Sequence, residues 1–180
     1  DIEIKKMANF IEGYKNMLKS LSPSNQENPL IAFLTPGPLN ETYFEHSYLS
    51  SYLDLTLVQG EDLLVKNNHL WLKSLKGLRK VDTLIRRVDA QYCDPLELKS
   101  NSHLGVSGLV NVVREDNLSM INPIGIGILE NIGLKKKKKN ISRFLLNEEL
   151  ILSQIATWWC GQKKELDFVL ENLKTLIVKK

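Results

Sequence analysis

The sequence has little of what marks several common classes of protein. Its 180 residues include only two cysteines, Cys93 and Cys160, which are far apart and have no CxxC neighbour. Their scarcity argues against a disulfide scaffold and a cysteine-ligated zinc site, and it predicts a reduced, cytoplasmic protein. No apolar run approaches the length of a membrane span, so we expect no association with a membrane.

Charge of one sign is also scarce outside a single segment. The net charge is +3, but Lys135 to Lys139 supply five positive charges and the rest of the chain carries −2. This balance speaks against nucleic-acid binding by the fold itself. We predict a lysine-rich surface loop over residues 133–140, because consecutive like charges give no amphipathic pattern. A basic patch for nucleic acid or anionic lipid is the alternative.

The ten glycines do not form a dinucleotide-binding signature. Gly125-Ile126-Gly127 lacks the third glycine that such a signature requires. The segment from Asn122 to Gly127 follows a predicted strand, and we interpret it as a loop whose backbone approaches a ligand. Trp158 and Trp159 are typical of core or interface packing, and Cys160 has no neighbouring histidine to activate it as a nucleophile.

What the sequence does contain is an alternation of strand and helix patterns. Short apolar runs predict strands, and apolar residues at helical spacing predict helices between them. The alternation predicts a single α/β domain over residues 1–180, with a largely parallel sheet flanked by helices and a small β-hairpin. The predicted strands cover 30–35, 54–59, 81–88, 117–121 and 175–178, the hairpin 63–73, and the helices 4–21, 41–53, 104–115, 141–146 and 163–173.

A turn containing proline and glycine follows the first predicted strand. Thr35-Pro36-Gly37-Pro38 leads into a helix that Asn40 is placed to cap. A strand, a tight turn and a capped helix form a ligand-binding edge in α/β folds, where free backbone N–H groups attract an anion. The alternative is that proline and glycine simply make the turn. Thr35, Gly37 and Asn40 are therefore candidate substrate-binding residues, whereas His46 is interpreted as a helical histidine near the protein surface.

Two adjacent arginines end another predicted strand. Neighbouring strand residues point to opposite faces, so Arg86 and Arg87 face different sides unless the strand has ended. Two guanidinium groups at the exit of a strand suit a carboxylate or phosphate ligand. The alternative is a structural ion pair with an acidic neighbour, namely Asp82, Asp89 or Asp94.

Taken in order, these motifs resemble the circularly permuted ATP-grasp proteins, the glutathionylspermidine-synthase-like group of bacteria. The most specific of them is Thr35-Pro36-Gly37-Pro38-x-Asn40-Glu41-x-Tyr43-Phe44-Glu45-His46. Further matches follow in the family's order, at Val58 to Leu63, Trp71 to Leu78, Val81 to Asp89, Asp94 to Leu98, Leu104 to Leu109, Asn122 to Asn131 and Ala156 to Lys179. Because many separate motifs agree in order, the resemblance covers nearly the whole chain.

The resemblance implies an ATP-dependent carboxylate–amine ligase, in which ATP and Mg²⁺ convert a carboxylate into an acyl phosphate that an amine then attacks. It implies that this chain is a central fragment of a longer protein, largely its substrate-side, pre-ATP-grasp-like domain, with the magnesium ligands in a segment before Asp1. It also implies that Lys179 contacts the nucleotide. The turn, the two arginines, Asn122 and Gly125 would then face a small-molecule or peptide-like carboxylate. We expect the chain alone to be inactive as a ligase.

A second class of function is a non-catalytic α/β module that presents its surface to a partner protein. The two classes differ in how they respond to the loss of the arginines. A ligase fragment should lose affinity for an anionic, peptide-like substrate on Arg86→Ala or Arg87→Ala, whereas an interaction module should be indifferent to both. The lysine run, which stands where family members carry a mostly apolar helix, is the one departure from the family pattern.

Overall fold

The computed structural model describes residues 7–24, 26–152 and 154–178. The chain divides into two compact units, Asp1–Pro123 and Ile124–Lys180, where the sequence predicted one domain. The predicted strand over residues 175–178 would have tied the second part of the chain to the sheet. The described residues of that segment form no strand.

The first unit alternates helices and strands along the chain. Its helices are α1 (Ala8–Ser20), α2 (Tyr43–Tyr52) and α3 (Leu109–Arg114), and its strands are β1 (Ile31–Leu34), β2 (Thr56–Val58), β3 (Leu63–Lys66), β4 (His69–Ser74), β5 (Gly77–Lys80), β6 (Thr83–Arg86) and β7 (Ser119–Ile121). Four strands form a parallel sheet in the order β2-β1-β6-β7. The predicted α/β class with a parallel sheet is therefore confirmed.

The core of the first unit lies against this sheet. All four residues of β1 and all four of β6 are buried, as expected for central parallel strands covered on both faces. One face carries Ile31, Phe33 and Ile85, which pack against Leu18 of α1 and Leu49 of α2. Burying apolar side chains of this size stabilises a fold by about 1.5–3 kcal/mol each, so this cluster fixes both helices on the sheet.

The order of the strands places a topological switch point between β1 and β6. The chain leaves β1 through α2 to reach β2 on one side, and it leaves β6 through α3 to reach β7 on the other side. Because such crossovers are right-handed, connections running in opposite directions put their helices on opposite faces. The carboxyl ends of β1 and β6 therefore lie at the switch point, which is where open α/β sheets bind ligands.

The predicted hairpin is confirmed and is extended by a third strand. β3, β4 and β5 form a separate antiparallel sheet. Asn67 and Asn68 adopt the left-handed region at φ 50° and 59°, which a two-residue hairpin turn requires and asparagine tolerates. β5 was not predicted, because Gly77-Leu78-Arg79-Lys80 is short and half charged, and its strand character comes from pairing with β4.

The second unit contains a 3₁₀ turn over Ile126–Glu130 and the helices α4 (Ile132–Leu146) and α5 (Lys163–Glu171). The prediction of a loop over 133–140 was wrong, since the lysine run lies within α4. The Asn131 side chain caps the helix by accepting hydrogen bonds from the backbone N–H groups of Gly133 (2.9 Å) and Leu134 (3.4 Å). Lysine is a good helix former, and like charges four residues apart cost only about 0.2–0.5 kcal/mol per pair.

The carboxy-terminal segment of the second unit differs from prediction. Residues 176–178 are apolar, yet in the structure residues 175–178 form a turn, a bend and coil, with Ile177 99% exposed. An apolar run becomes a strand only where a neighbouring strand satisfies its backbone, and the described residues offer none here. Within those residues, no helix is long and apolar enough to cross a membrane.

Candidate functional site

The carboxyl edge of the parallel sheet brings together residues that are distant in sequence. Thr35 follows β1 and Arg87 follows β6, so both lie at the switch point. The Thr35 backbone N–H donates to Val58 O (2.9 Å), and that of Arg87 donates to Leu34 O (2.9 Å). The ladder thus extends one residue past each strand and fixes the backbone of both residues at the carboxyl edge of the sheet.

The turn after β1 is shaped by Thr35 and Gly37. The Thr35 side chain is buried, and its Oγ1 accepts a hydrogen bond from the Gly37 backbone N–H at 3.3 Å. Gly37 has φ 99°, and a Cβ there would collide with the side-chain amide of Gln59. Only glycine combines this left-handed conformation with so close a neighbour. The glycine therefore serves the geometry of the turn.

His46 occupies the centre of the cluster and corrects the prediction that it lies near the surface. It sits on α2 with only 1% of its area exposed. Its Nδ1 lies 2.9 Å from Thr35 Oγ1, and its Nε2 lies 3.1 Å from Thr42 Oγ1 and accepts from Arg87 Nε at 3.2 Å. Its ring also stands 5.8 Å from that of Phe33. His46 thus joins the ends of β1 and β6 across the switch point.

The surroundings of His46 favour its neutral form. Burial lowers the pKa of His46 below the ordinary 6.5, and the neighbouring Arg87 guanidinium lowers it further, against a smaller opposing effect of Glu45. Removing a charge from water disfavours the charged imidazolium, and a nearby cation acts in the same direction. At neutral pH His46 is therefore an uncharged hydrogen-bonding group beside a permanent cation.

Asn40 acts before α2 rather than as its N-cap. The helix begins at Tyr43, and the Asn40 Oδ1 accepts from the Thr42 backbone N–H (3.0 Å) and from Thr42 Oγ1 (2.6 Å). An asparagine that bonds two residues onward makes a local turn of its own. Its effect on the site is indirect, because it holds Thr42 where that hydroxyl meets His46.

The two adjacent arginines have different surroundings. Arg86 is buried, and its guanidinium donates to the backbone carbonyls of Asn122 (Nε, 2.7 Å), Val88 (Nη1) and Pro123 (Nη2, 3.4 Å). Asn122 returns a bond from its Nδ2 to Arg86 O at 3.3 Å. These bonds tie the end of β6 to the end of β7. Arg87 is exposed, and it lies on the opposite side, toward α2.

The acidic residues considered as partners of the arginines have other roles. Asp94 is fully buried, and its carboxylate accepts from the backbone N–H groups of Leu96 (2.9 Å), Gly108 (3.1 Å) and Val110 (2.9 Å). Asp82 accepts from Ser24 Oγ and a backbone N–H. In the part of the chain that the structure describes, no ion pair joins either arginine to these two or to Asp89.

The remaining predicted site residues belong to the second unit or lie beyond the described residues. Gly125 has φ 92° and is the residue before the 3₁₀ turn. Trp158 packs on Phe168 at a ring separation of 4.9 Å, in keeping with its predicted packing role. Within this unit a groove of about 1350 Å³ is lined by residues that include Trp158, Trp159 and Cys160. Lys179 lies outside the described residues.

The structure therefore divides the predicted substrate-binding set into groups. It joins Thr35, Gly37 and Arg87 around the switch point, and Asn40 supports them through Thr42. It places Arg86 with Asn122 in a separate backbone-holding cluster. His46 is the residue that sequence reasoning missed, although a signal was present. The buried stripe of α2 and its C-cap runs His46, Leu49, Ser50, Leu53, which is the helical spacing of a core-facing side.

Comparison with known proteins identifies the family of this chain. The family model described as circularly permuted ATP-grasp type 2 matches residues 1–180. The chain belongs to this family.

Similar proteins occur in mycobacteria and a cyanobacterium. The chain is 37% identical over 170 residues to the uncharacterized protein Rv2567 of Mycobacterium tuberculosis, which covers 94% of the chain and 19% of that protein. It is 34% identical over 162 residues to the uncharacterized protein sll0335 of Synechocystis, and the match covers 90% of the chain and 34% of that protein. It is 33% identical over 162 residues to the uncharacterized protein ML0605 of Mycobacterium leprae, and the match covers 90% of the chain and 29% of that protein. The chain thus spans a fifth to a third of the length of these relatives.

Proposed function

We propose that this chain carries the acid-binding side of an ATP-dependent carboxylate–amine ligase. In that reaction the carboxylate attacks the γ-phosphorus of ATP and ADP leaves. The amine then attacks the acyl phosphate and displaces inorganic phosphate to give an amide. Family membership supports the class of reaction. The observation that carries the substrate side is an exposed arginine, Arg87, held at the switch point of a parallel sheet by a buried histidine.

The chemistry of Arg87 suits a carboxylate. Its guanidinium is permanently charged and presents N–H groups in a planar fork that matches two carboxylate oxygens. Only its Nε is bonded to a described residue, His46 Nε2, which leaves the terminal Nη1 and Nη2 edge for a ligand. We assign Arg87 the substrate carboxylate and the Thr35-to-Asn40 turn the neighbouring wall, whereas Arg86 and Asn122 hold the sheet edge in place.

The described residues contain no preformed cluster of metal ligands. Mg²⁺ prefers carboxylate oxygens together with substrate phosphates, and no group of three or more His, Cys, Asp or Glu side chains among the described residues is placed to hold a metal. ATP and Mg²⁺ would therefore be bound largely by parts of the protein other than those described. The roles of Gly125 in the substrate site and of Lys179 at the nucleotide rest on the family resemblance.

The subgroup, the substrate class and the location of the protein are further parts of the proposal. The glutathionylspermidine-synthase-like subgroup rests on the motif from Thr35 to His46, and a small-molecule or peptide-like acid is the substrate class that an arginine fork favours. Scarce cysteine supports a cytoplasmic location. Because the chain spans only part of its relatives, we propose that it is a fragment of a longer protein and that it does not catalyse ligation alone.

A second function is favoured by a specific feature of the second unit. Ile151, Leu152 and Ile155 there are 99%, 82% and 91% exposed, and Phe144 is 87% exposed. Large apolar side chains left exposed together mark surfaces that associate with other protein. A non-catalytic assembly module with a protein partner would use this surface, and it would not depend on Arg87.

The experiment that tests the proposed function is hydroxylamine trapping with the longer protein that contains this chain. Hydroxylamine replaces the amine and converts an acyl phosphate into a stable hydroxamate, so the assay needs no knowledge of the natural amine. A panel of dicarboxylic acids, amino acids and short peptides is supplied with Mg-ATP. We expect hydroxamate that depends on ATP and on at least one acid, and none from the 180-residue chain. Formation by the chain alone, or by no form of the protein, would contradict the proposal.

A further inference from the structure

We infer that His46 is the positioning residue of a carboxylate site, in which it orients Arg87 so that the Nη1 and Nη2 edge faces the ligand. The inference rests on the proposed function for the identity of the ligand. The orientation itself follows from hydrogen-bond geometry alone. The motif of the Thr35 turn ends at His46 but gives no indication of this role, because Arg87, the residue that it orients, lies 41 residues away.

The tautomer of His46 is fixed by its neighbours. Arg87 Nε can only donate, because a guanidinium has no acceptor, so the His46 Nε2 that it contacts at 3.2 Å must be the unprotonated nitrogen. In a neutral imidazole the other nitrogen then carries the proton. Nδ1–H therefore donates to Thr35 Oγ1 at 2.9 Å. The ring is held at both nitrogens, and the bond at one nitrogen determines whether the other nitrogen carries the proton.

Thr42 completes the arrangement from the helix side. Its hydroxyl donates to Asn40 Oδ1 at 2.6 Å, so its one proton is committed away from His46, whose Nε2 lies 3.1 Å from Thr42 Oγ1. Arg87 is therefore the donor for Nε2 in the neutral state. If His46 were protonated, Nε2–H would donate to Thr42 instead and Arg87 would lose its acceptor. The charged groups acting on His46 are Arg87, after β6, and Glu45, beside it on α2.

The consequence for binding is preorganisation. Arginine has a long, rotamer-rich side chain, and immobilising such a side chain on binding costs about 0.5–1.5 kcal/mol. His46 holds Nε before the ligand arrives, so the bound carboxylate meets a guanidinium whose orientation is already set. The terminal Nη1 and Nη2 groups stay free to donate to the two oxygens of a carboxylate in an end-on, bidentate arrangement.

Nuclear magnetic resonance of the wild-type chain tests the arrangement without any enzymatic activity. The ¹⁵N shifts of the His46 ring should identify the Nδ1–H tautomer. The Arg87 Nε–H should exchange with water about tenfold or more slowly than that of Arg79, because it donates to a buried acceptor. Arg79 is the matched control, an exposed arginine on β5. An Nε2–H tautomer, or equal exchange of the two arginines, would overturn the inference.

Two variants separate positioning from a merely structural role. In His46→Gln the side-chain oxygen can take the place of Nε2 and accept from Arg87. In His46→Asn the amide can take the place of Nδ1, which keeps the Thr35 bond but leaves Arg87 without an acceptor. Glutarate serves as the carboxylate probe. We expect His46→Asn to weaken glutarate binding about 2- to 10-fold and His46→Gln to bind within about twofold of wild type.

The outcomes of the two experiments are distinguishable. Equal loss in both variants would indicate a structural role and would refute the positioning role, as would the absence of any glutarate binding at Arg87. If His46 and glutarate behave as expected but no hydroxamate ever forms, the ligase assignment is wrong and the carboxylate site stands. If a variant does not fold, the tautomer and exchange measurements on the wild-type chain still decide.

Discussion

Replacing Arg86 by alanine should destabilise the fold, whereas the same change at Arg87 should not. Arg86 donates three charge-assisted hydrogen bonds to backbone carbonyls, those of Asn122, Val88 and Pro123. A bond involving a charged group contributes about 1.5–3 kcal/mol. Counting only the two shorter bonds gives a loss of about 3–6 kcal/mol. Removing a buried cation that has no carboxylate partner among the described residues recovers part of this, so we expect a net loss of about 2–4 kcal/mol.

Urea unfolding of the 180-residue chain measures the difference. Arg87→Ala removes an exposed side chain and one hydrogen bond to His46. Because the Thr42 hydroxyl, 3.1 Å from His46 Nε2, can donate in its place, we expect a change within about 0.5 kcal/mol. Arg86→Lys is a useful intermediate, because one ammonium group cannot reproduce the fork that reaches several carbonyls. An unfolding free energy of Arg86→Ala within about 0.5 kcal/mol of wild type would refute the assignment of Arg86 to the sheet edge. It would return Arg86 to the substrate site.

Three further outcomes follow from buried groups. Asp94→Ala leaves three backbone N–H groups without their acceptor and should lower the unfolding free energy by about 3–6 kcal/mol. The control is Asp89→Ala, which removes an exposed carboxylate and should change the unfolding free energy by less than about 0.5 kcal/mol. Equal effects of the two substitutions in urea unfolding would contradict this prediction. Cys93 is buried and its pKa is raised by burial, so mass spectrometry after iodoacetamide treatment should find Cys160 alkylated and Cys93 intact. The pKa of His46 is lowered below 6.5 on folding, so the unfolded chain binds the proton more readily than the folded chain. The unfolding free energy should therefore fall by up to about 1.4 kcal/mol per pH unit as pH drops below 6.5. His46→Gln should remove this pH dependence, and an unchanged dependence in the variant would contradict the prediction.

The sequence was sufficient to predict the features that depend on local patterns. The apolar run of β1 and the proline–glycine turn predicted a strand followed by a tight turn, and the Asn67-Asn68 pair predicted the hairpin. Each of these depends on residues within a few positions of one another, through side-chain periodicity or a turn conformation. The placement of Arg86 and Arg87 on opposite sides also followed from strand alternation.

What escaped prediction depends on partners distant in sequence. His46 becomes a buried site residue only because Thr35 and Arg87 meet at the switch point, which requires the strand order β2-β1-β6-β7. The lysine run was read from its charge, but the Asn131 cap and the helix preference of lysine prevailed. The segment at 175–178 has a strand-like composition without a strand beside it among the described residues, so composition alone misled.

The acid dependence of hydroxamate formation by the longer protein tests the central claim most directly. We predict that Arg87→Ala raises the KM for the acid about 10- to 150-fold, which corresponds to the loss of one charge-assisted hydrogen-bonded contact of about 1.5–3 kcal/mol. The KM for ATP should stay unchanged, and Arg79→Ala should leave both constants as in wild type. An acid KM in Arg87→Ala equal to that of Arg79→Ala would contradict the claim that the switch point of this sheet binds the substrate carboxylate.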